Sequence, residues 1–297
     1  MIEKMIIPFS DFYIAALTIK KQAPYLLFIH GGPGSNSTIV EHFIENENLF
    51  SSLNYNIMVY DQRGCGRSKN DCSTVSHESN ISDLFDIYQY LNERFPLKGF
   101  IGHSYGAKLL FDFNKQYSIT YPSIYVSMSD SLLTPRINNL LLDMNYLKRV
   151  DPDTYEKNWA KITNFSSDEI WHITEELAPL FTKNPERPFF YWANLDIFKK
   201  VQNYQKQFSY PINADVFMNV RKNLYLERDD FFIDFSSMDT PYLRINGAQD
   251  FIINGGTERH DKTTVFYKSA HYPHLEENEN FCNVVNKFLE KEGISHD

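Results

Sequence analysis

Cysteine is scarce in this chain. Cys65, Cys72 and Cys282 are odd in number, and their spacing matches no metal site. A disulfide framework and a structural zinc site are excluded on that ground, and the three read as free thiols in a reducing compartment. Basic residues are also short: 29 Lys and Arg stand against 38 Asp and Glu, for a formal net charge of −9. Nucleic acid and anionic membrane surfaces are excluded as partners by that balance, whereas capture of a cationic group suits it. No apolar stretch reaches the ~20 residues of a membrane span. The opening stretch, Met1 to Pro8, has neither a long apolar run nor a cleavage site, so no signal peptide is read and a cytoplasmic location is expected. Repeats and low-complexity tracts are lacking as well, and no residue pattern points to a cofactor.

What is present is an aromatic-rich globular composition. Hydrophobic residues make up 42% of 297, with 24 Phe and 19 Tyr, which suits a sizeable core and a lidded apolar pocket. Apolar runs alternate with amphipathic stretches, the pattern of a mostly parallel sheet covered by helices. Strands are predicted at 13–19, 25–29, 56–60, 98–102 and 123–129, and helices at 40–53 and 79–95. The second helix rests on Ile81, Leu84, Phe85, Ile87, Tyr88 and Leu91, at roughly a 3.6-residue period. From about Ser131 to Tyr225 the alternation stops. That stretch reads as helical and irregular, with Trp159, Trp171, Trp192 and several prolines. The core resumes with strands at 241–247 and 263–267 and closes with a helix near 278–291. The expected division is therefore core over 1–130, helical lid over 131–225, and core again over 226–297.

Three motifs carry chemistry. Gly102-His103-Ser104-Tyr105-Gly106 stands between the strand-like Gly99 to Ile101 and the helix-like Ala107 to Phe113. Gly-x-Ser-x-Gly in that context is a nucleophile elbow: the turn is so tight that the residues two positions from the serine must be small. Upstream, His30-Gly31-Gly32-Pro33-Gly34 follows an apolar run. Glycines there let the backbone point N–H groups at a cavity, where each donor to an oxyanion lowers the barrier by on the order of 3 kcal/mol. Gly32 and Tyr105 are the expected donors. The third motif, Asp61 to Ser68, reads as a charged loop that braces the oxyanion loop. Cys65 within it lies near the proposed site, where thiol reagents are expected to inhibit.

On these motifs, in this order, the chain resembles the alpha/beta-hydrolase superfamily, and more narrowly the proline iminopeptidase family of serine peptidases. The resemblance spans nearly the whole chain apart from its middle. It implies an alpha/beta-hydrolase fold, a sheet flanked by helices with a helical lid inserted, and no cofactor. One departure is Tyr105, where proline iminopeptidases usually carry Trp.

In this fold the triad follows the chain order Ser, acid, His. Asp250 follows a predicted strand and is the favoured acid; Asp130, at the end of the preceding strand, is the alternative. Among the candidate bases, His271 is favoured because similar proteins carry Gly-His or Ala-His followed by Pro and Glu, here Glu276. His274 is the alternative, with a structural or surface role expected. His30 and His103 are expected to bond backbone or neighbours. An aminopeptidase must also hold an ammonium group. The resemblance places a lid Glu for this task where Lys222 stands, so Glu227, Asp229 or Asp230 would have to substitute. The expected activity is aminopeptidase cleavage of short peptides. A carboxylesterase or amidase on small acyl substrates is the alternative, and a ligand receptor on a hydrolase scaffold a third.

Overall fold

Alternate residues of each central strand face opposite ways, and both faces are apolar. Leu27, Ile29, Met58 and Phe100 pack on one side; Leu26, Phe28, Ile57 and Ile101 pack on the other. A strand with two apolar faces has to be covered on both, which a parallel sheet with crossover helices achieves. The computed structural model describes residues 2–69, 71–163, 169–181, 184–208, 210–226, 232–253 and 263–293.

The described elements begin with β1 (Glu3–Phe9), β2 (Phe12–Thr18), β3 (Tyr25–Ile29), α1 (Thr38–Asn46), β4 (Asn56–Tyr60) and α2 (His77–Asn92). β5 (Leu97–His103), α3 (Tyr105–Tyr117) and β6 (Ser123–Val126) follow. Among the described residues, five α-helices come before the next strand: α4 (Leu133–Val150), α5 (Pro152–Thr163), α6 (Ile170–Phe181), α7 (Leu195–Gln207) and α8 (Ala214–Leu226). The chain then forms β7 (Tyr242–Gly247), β8 (Thr263–Phe266), α9 (Pro273–Glu276) and α10 (Asn278–Lys291). The eight strands lie in the order β1-β2-β4-β3-β5-β6-β7-β8. The β1–β2 and β2–β4 pairs are antiparallel and all later pairs are parallel. β5 is thus interior to the sheet, and the loop at its C-terminal end opens where ligands of open α/β sheets bind.

On one face α2 and α3 contribute Ile81, Leu84, Leu109 and Leu110 to the core; on the other α1 and α10 contribute Phe43, Ile44, Phe281 and Val285. The inserted helices have a small core of their own, with Leu140, Met144, Leu147, Tyr155, Leu177 and Phe181 packed together. Trp159 stacks on Tyr155 within it, at 5.3 Å between ring centroids.

Apart from small shifts at element ends, the sequence-based expectations differ from this fold in three places. β1 was not anticipated because most of its residues are exposed and it carries no inward alternation. α1 stops at Asn46 instead of reaching Leu53, because Asn48 and Phe50 take left-handed backbone (φ 57° and 60°). Leu49, Phe50 and Leu53 are nevertheless buried, which kept the apolar period running past the end of the helix. β6 ends at Val126, where Ser127 turns the chain with φ 52°.

Candidate active site

Ser104 sits between β5 and α3 with φ 54° and ψ −118°, a conformation costing a non-glycine residue on the order of 1–3 kcal/mol. The surroundings leave no room for side chains beside it. A Cβ on Gly102 would lie 2.6 Å from the Gly106 carbonyl oxygen, and one on Gly106 would lie 2.2 Å from the Ile29 oxygen. The two glycines therefore let α3 start directly against the end of β3, and this presses Ser104 out of the turn.

His271 lies in the segment between β8 and α9. Its Nε2 is 2.9 Å from Ser104 Oγ and its Nδ1 is 2.7 Å from Asp250 Oδ2. Asp250 is 1% exposed, and its other oxygen accepts the Ile252 N–H at 3.0 Å. An ionised carboxylate only accepts, so the proton on Nδ1 points at Asp250 and Nε2 is left to accept from the serine hydroxyl. The structure brings Ser104, Asp250 and His271 together. Asp130, the alternative acid, instead meets the buried Arg244, with Nη2 to Oδ1 at 2.5 Å.

His274, the alternative base, takes one of the two roles expected of it. It is 1% exposed, packed against the rings of Phe28, His103 and Phe281. Burial, with the nearby His271, pushes its imidazole down to about 3, so it stays neutral. The role is structural, but in the core and not at the surface. His103 is buried too; its Nε2 lies 2.8 Å from the His271 carbonyl oxygen. Burial and the neighbouring histidines hold its imidazole well below the ordinary range.

The loop carrying His271 is fastened to the inserted segment. Its backbone N–H donates to the Tyr191 carbonyl at 3.1 Å. Glu276 Oε1 accepts the N–H groups of Ala193 and Asn194 at 2.6 and 2.7 Å, and Oε2 accepts that of Ala270 at 2.8 Å. Trp192, between them, stacks on Tyr272 at 4.1 Å. The Tyr191 link was not foreseen: nothing in the sequence pairs a backbone carbonyl of the inserted segment with His271.

Gly32 (φ +126°) and Tyr105 both line the cavity beside Ser104. Tyr105 is the first residue of α3, so its N–H is among those a helix leaves without an internal acceptor. The Asp61–Ser68 loop does brace this region. Asp61 Oδ1 accepts from the backbone and hydroxyl of Ser37, and Gln62 Nε2 donates to the His30 carbonyl at 2.8 Å. Arg67 ties Asp61 to Glu41. Burial opposes ionisation of Asp61, yet Arg67 holds its carboxyl below the usual range. Cys65 corrects another expectation. It is fully buried, does not line the cavity, and burial pushes its thiol up to about 12. Reagents that need a thiolate have no access to it.

The cavity measures about 760 Å³. Its wall joins Ser104 and His271 to residues of α4, α6 and α8, including Asp143, Glu175, Phe217 and Arg221. Lys222 is exposed; the neighbouring Arg221 faces the cavity instead. Glu227, Asp229 and Asp230 lie outside the described residues. The cavity residues Arg136, Asp143 and Glu175 were missed, because no motif marks a side chain contributed by helices whose packing the sequence does not reveal. Among the described residues, no group of His, Cys, Asp and Glu is arranged to hold a metal, and no helix is long and apolar enough to cross a membrane.

Residues 26–284 match the alpha/beta hydrolase family. The chain belongs to that family. A proline iminopeptidase of Saccharolobus solfataricus is 23% identical over 95% of this chain and 89% of its own length. Among solved structures, a proline iminopeptidase-related protein of Thermus thermophilus superposes with a TM-score of 0.64 at 15% identity, over 98% of both chains. An esterase of Exiguobacterium antarcticum gives 0.60 at 15% identity, over 94% of this chain and 95% of that one. These likenesses make this alpha/beta hydrolase similar in fold to both a peptidase-related protein and an esterase.

Proposed function

We propose that this alpha/beta hydrolase is a serine hydrolase working by acyl transfer. The observation that carries the reading is the unbroken chain of contacts from Ser104 Oγ through His271 to Asp250, 2.9 and 2.7 Å long, on the wall of a cavity. Ser104 Oγ attacks the substrate carbonyl carbon while its proton passes to His271 Nε2. Asp250 holds the ring in the right tautomer and stabilises the imidazolium. The N–H groups of Gly32 and Tyr105 receive the oxyanion. Collapse breaks the bond to the leaving amine or alcohol, which takes the proton from His271. Water then attacks the acyl-serine with His271 again as base, and the acid leaves. The helices from α4 to α8 form the lid over Ser104, and the 191–194 segment anchors that lid to the base.

The first substrate reading is an aminopeptidase of proline iminopeptidase type, releasing an N-terminal residue from short peptides. Its support is the similarity to the Saccharolobus protein and the two carboxyl groups, Asp143 and Glu175, on the cavity wall. The second reading is a carboxylesterase or amidase. One observation favours it: both carboxyl groups contact arginine, Asp143 with Arg187 at 3.1 Å and Glu175 with Arg136 at 2.8 Å. A substrate ammonium would have to compete with those guanidiniums.

Aminoacyl amides with free and with blocked amines, assayed beside short acyl esters, separate the two. A fluorophosphonate is expected to label Ser104 alone, and Ser104→Ala to remove nearly all turnover with the fold intact. Labelling at another serine, or full activity in that variant, refutes the acyl-transfer reading.

A further inference from the structure

Tyr105 stands where proline iminopeptidases usually carry Trp, and its side chain meets groups that the mechanism above does not use. The ring is buried and the hydroxyl faces α2. Asn80 Nδ2 donates to that hydroxyl at 2.9 Å, and His77 Nδ1 lies 3.2 Å from it. The other ring nitrogen of His77, Nε2, lies 2.6 Å from Asp112 Oδ2, and Lys108 also donates to Asp112. His77 and Asn80 are 0% and 2% exposed. Tyr105 and Asp112 stand about two turns apart on one face of α3, so a single imidazole bridges them.

The chemistry of these groups gives the chain of bonds a direction. Burial opposes ionisation of Asp112, yet His77 and Lys108 hold its carboxyl well below the usual range. An ionised carboxylate only accepts, so His77 Nε2 carries a proton toward it. Burial pushes the Tyr105 phenol upward and keeps it protonated. With Asn80 donating to its oxygen, the phenol is left to donate to Nδ1 of a neutral His77. The two side chains on α2 thus use both the acceptor and the donor of a hydroxyl. An indole only donates and would leave Asn80 unanswered.

This network bears on the reaction through the start of α3. An N-cap serine ordinarily accepts from an N–H of the first turn. Among the described residues, Ser104 makes no such bond; its Oγ faces His271 instead. The first turn of α3 therefore keeps its N–H groups for an anion but lacks the side-chain cap that would steady it. We propose that His77 and Asn80 are positioning residues for the oxyanion site: by holding the Tyr105 hydroxyl they fix the first turn of α3, and with it the direction of the Tyr105 N–H. Asp112 acts one step behind them by setting the tautomer of His77. The inference rests on the acyl-transfer reading, in which that N–H receives the oxyanion.

Two variants test it. Tyr105→Phe keeps the ring and removes the hydroxyl. His77→Gln keeps a donor toward Asp112 and removes the acceptor at Nδ1. Rates are taken per Ser104 titrated with a fluorophosphonate, on the acyl ester or aminoacyl amide that the parent turns over, so that loss of folded protein does not enter. Each variant should lower kcat about tenfold with little change in KM. That is less than the roughly 10²–10³-fold cost of losing an oxyanion donor outright, because the N–H is displaced and not removed. The double variant should be no slower than the slower single one, since the two side chains act as a unit. The inhibition constant of butylboronic acid, whose serine adduct carries an oxygen at the oxyanion position, should rise by the factor by which kcat/KM falls. His77→Asn, whose amide oxygen can stand where Nδ1 stands, should recover most of the loss. If Tyr105→Phe does not fold, His77→Gln and His77→Asn carry the test. Unchanged kcat and boronate inhibition, whatever happens to the urea midpoint, overturn the positioning role and leave the acyl-transfer reading standing; so does His77→Asn as slow as His77→Gln. If Ser104 is not labelled and no substrate is turned over, the acyl-transfer reading fails. Hydrogen exchange then decides whether the network fixes the helix start: exchange over 105–110 faster by about tenfold in His77→Gln, relative to β5, supports it, and unchanged exchange overturns it.

Discussion

The strongest quantitative test of the elbow is Gly106→Ala. Alanine suits the backbone there, since Gly106 lies in the first turn of α3 and has no positive φ. On helix propensity alone the change would stabilise by up to about 1 kcal/mol. The packing argues the reverse. The new Cβ would stand 2.2 Å from the Ile29 carbonyl oxygen and 2.5 Å from that of His30. Both are backbone atoms at the end of β3, with no side chain to swing aside. Relief requires α3 and β3 to part by roughly 1 Å, and overpacking of this kind costs about 1–3 kcal/mol. The same movement disturbs both partners of the reaction. α3 carries Ser104 and the Tyr105 N–H, while β3 leads into the Gly31–Gly34 loop. A displacement of about 1 Å at reacting groups costs on the order of 10²-fold in rate. Urea unfolding and kcat on a short acyl ester, measured side by side, should show lower stability and a kcat reduced about a hundredfold. A variant as stable as the parent or more so, with unchanged kcat, would refute the account of why this turn needs glycine.

The other predictions address the acid and the buried histidines. Asp250→Asn should lower kcat by about 10⁴-fold, because an amide favours the wrong tautomer of His271. Asp130→Asn should spare kcat far better, and the reverse ranking would return Asp130 to the role of acid. His274 is neutral in the fold at about 3 and near 6.5 when unfolded. A depressed folded value means that its contribution to stability is fully present above pH 6.5 and is lost as pH falls through that window toward 3. Between pH 8 and 5 the loss from this one group is about 2 kcal/mol, and His103 and His30, both lowered chiefly by burial, act in the same direction. The urea midpoint should therefore drop over that range, and less steeply in His274→Gln; an equal drop in both proteins would remove His274 as a cause.

The sequence was most legible where short-range chemistry decides the structure. Ser104 was identifiable because the glycines that make its turn possible are two residues away, and the backbone carbonyls they avoid belong to the adjacent strand. Asp250 and His271 followed from chain order within the fold, and each sits in a loop beyond a strand. For His274 the sequence left a structural and a surface role open. Its immediate neighbours, Pro273 and Leu275, do not decide between them, because the rings that bury it come from β3, β5 and α10. The cavity wall was the least legible part. Arg136, Glu175 and Arg221 are contributed by three helices separated by dozens of residues, and no local pattern states that they meet. The family resemblance points to Lys222, one residue from Arg221; on a helix that shift of about 100° turns a side chain from cavity to solvent. Reaction type is encoded in short turns and can be read locally. Substrate choice depends on which helix faces converge over Ser104, so it has to be read from their packing.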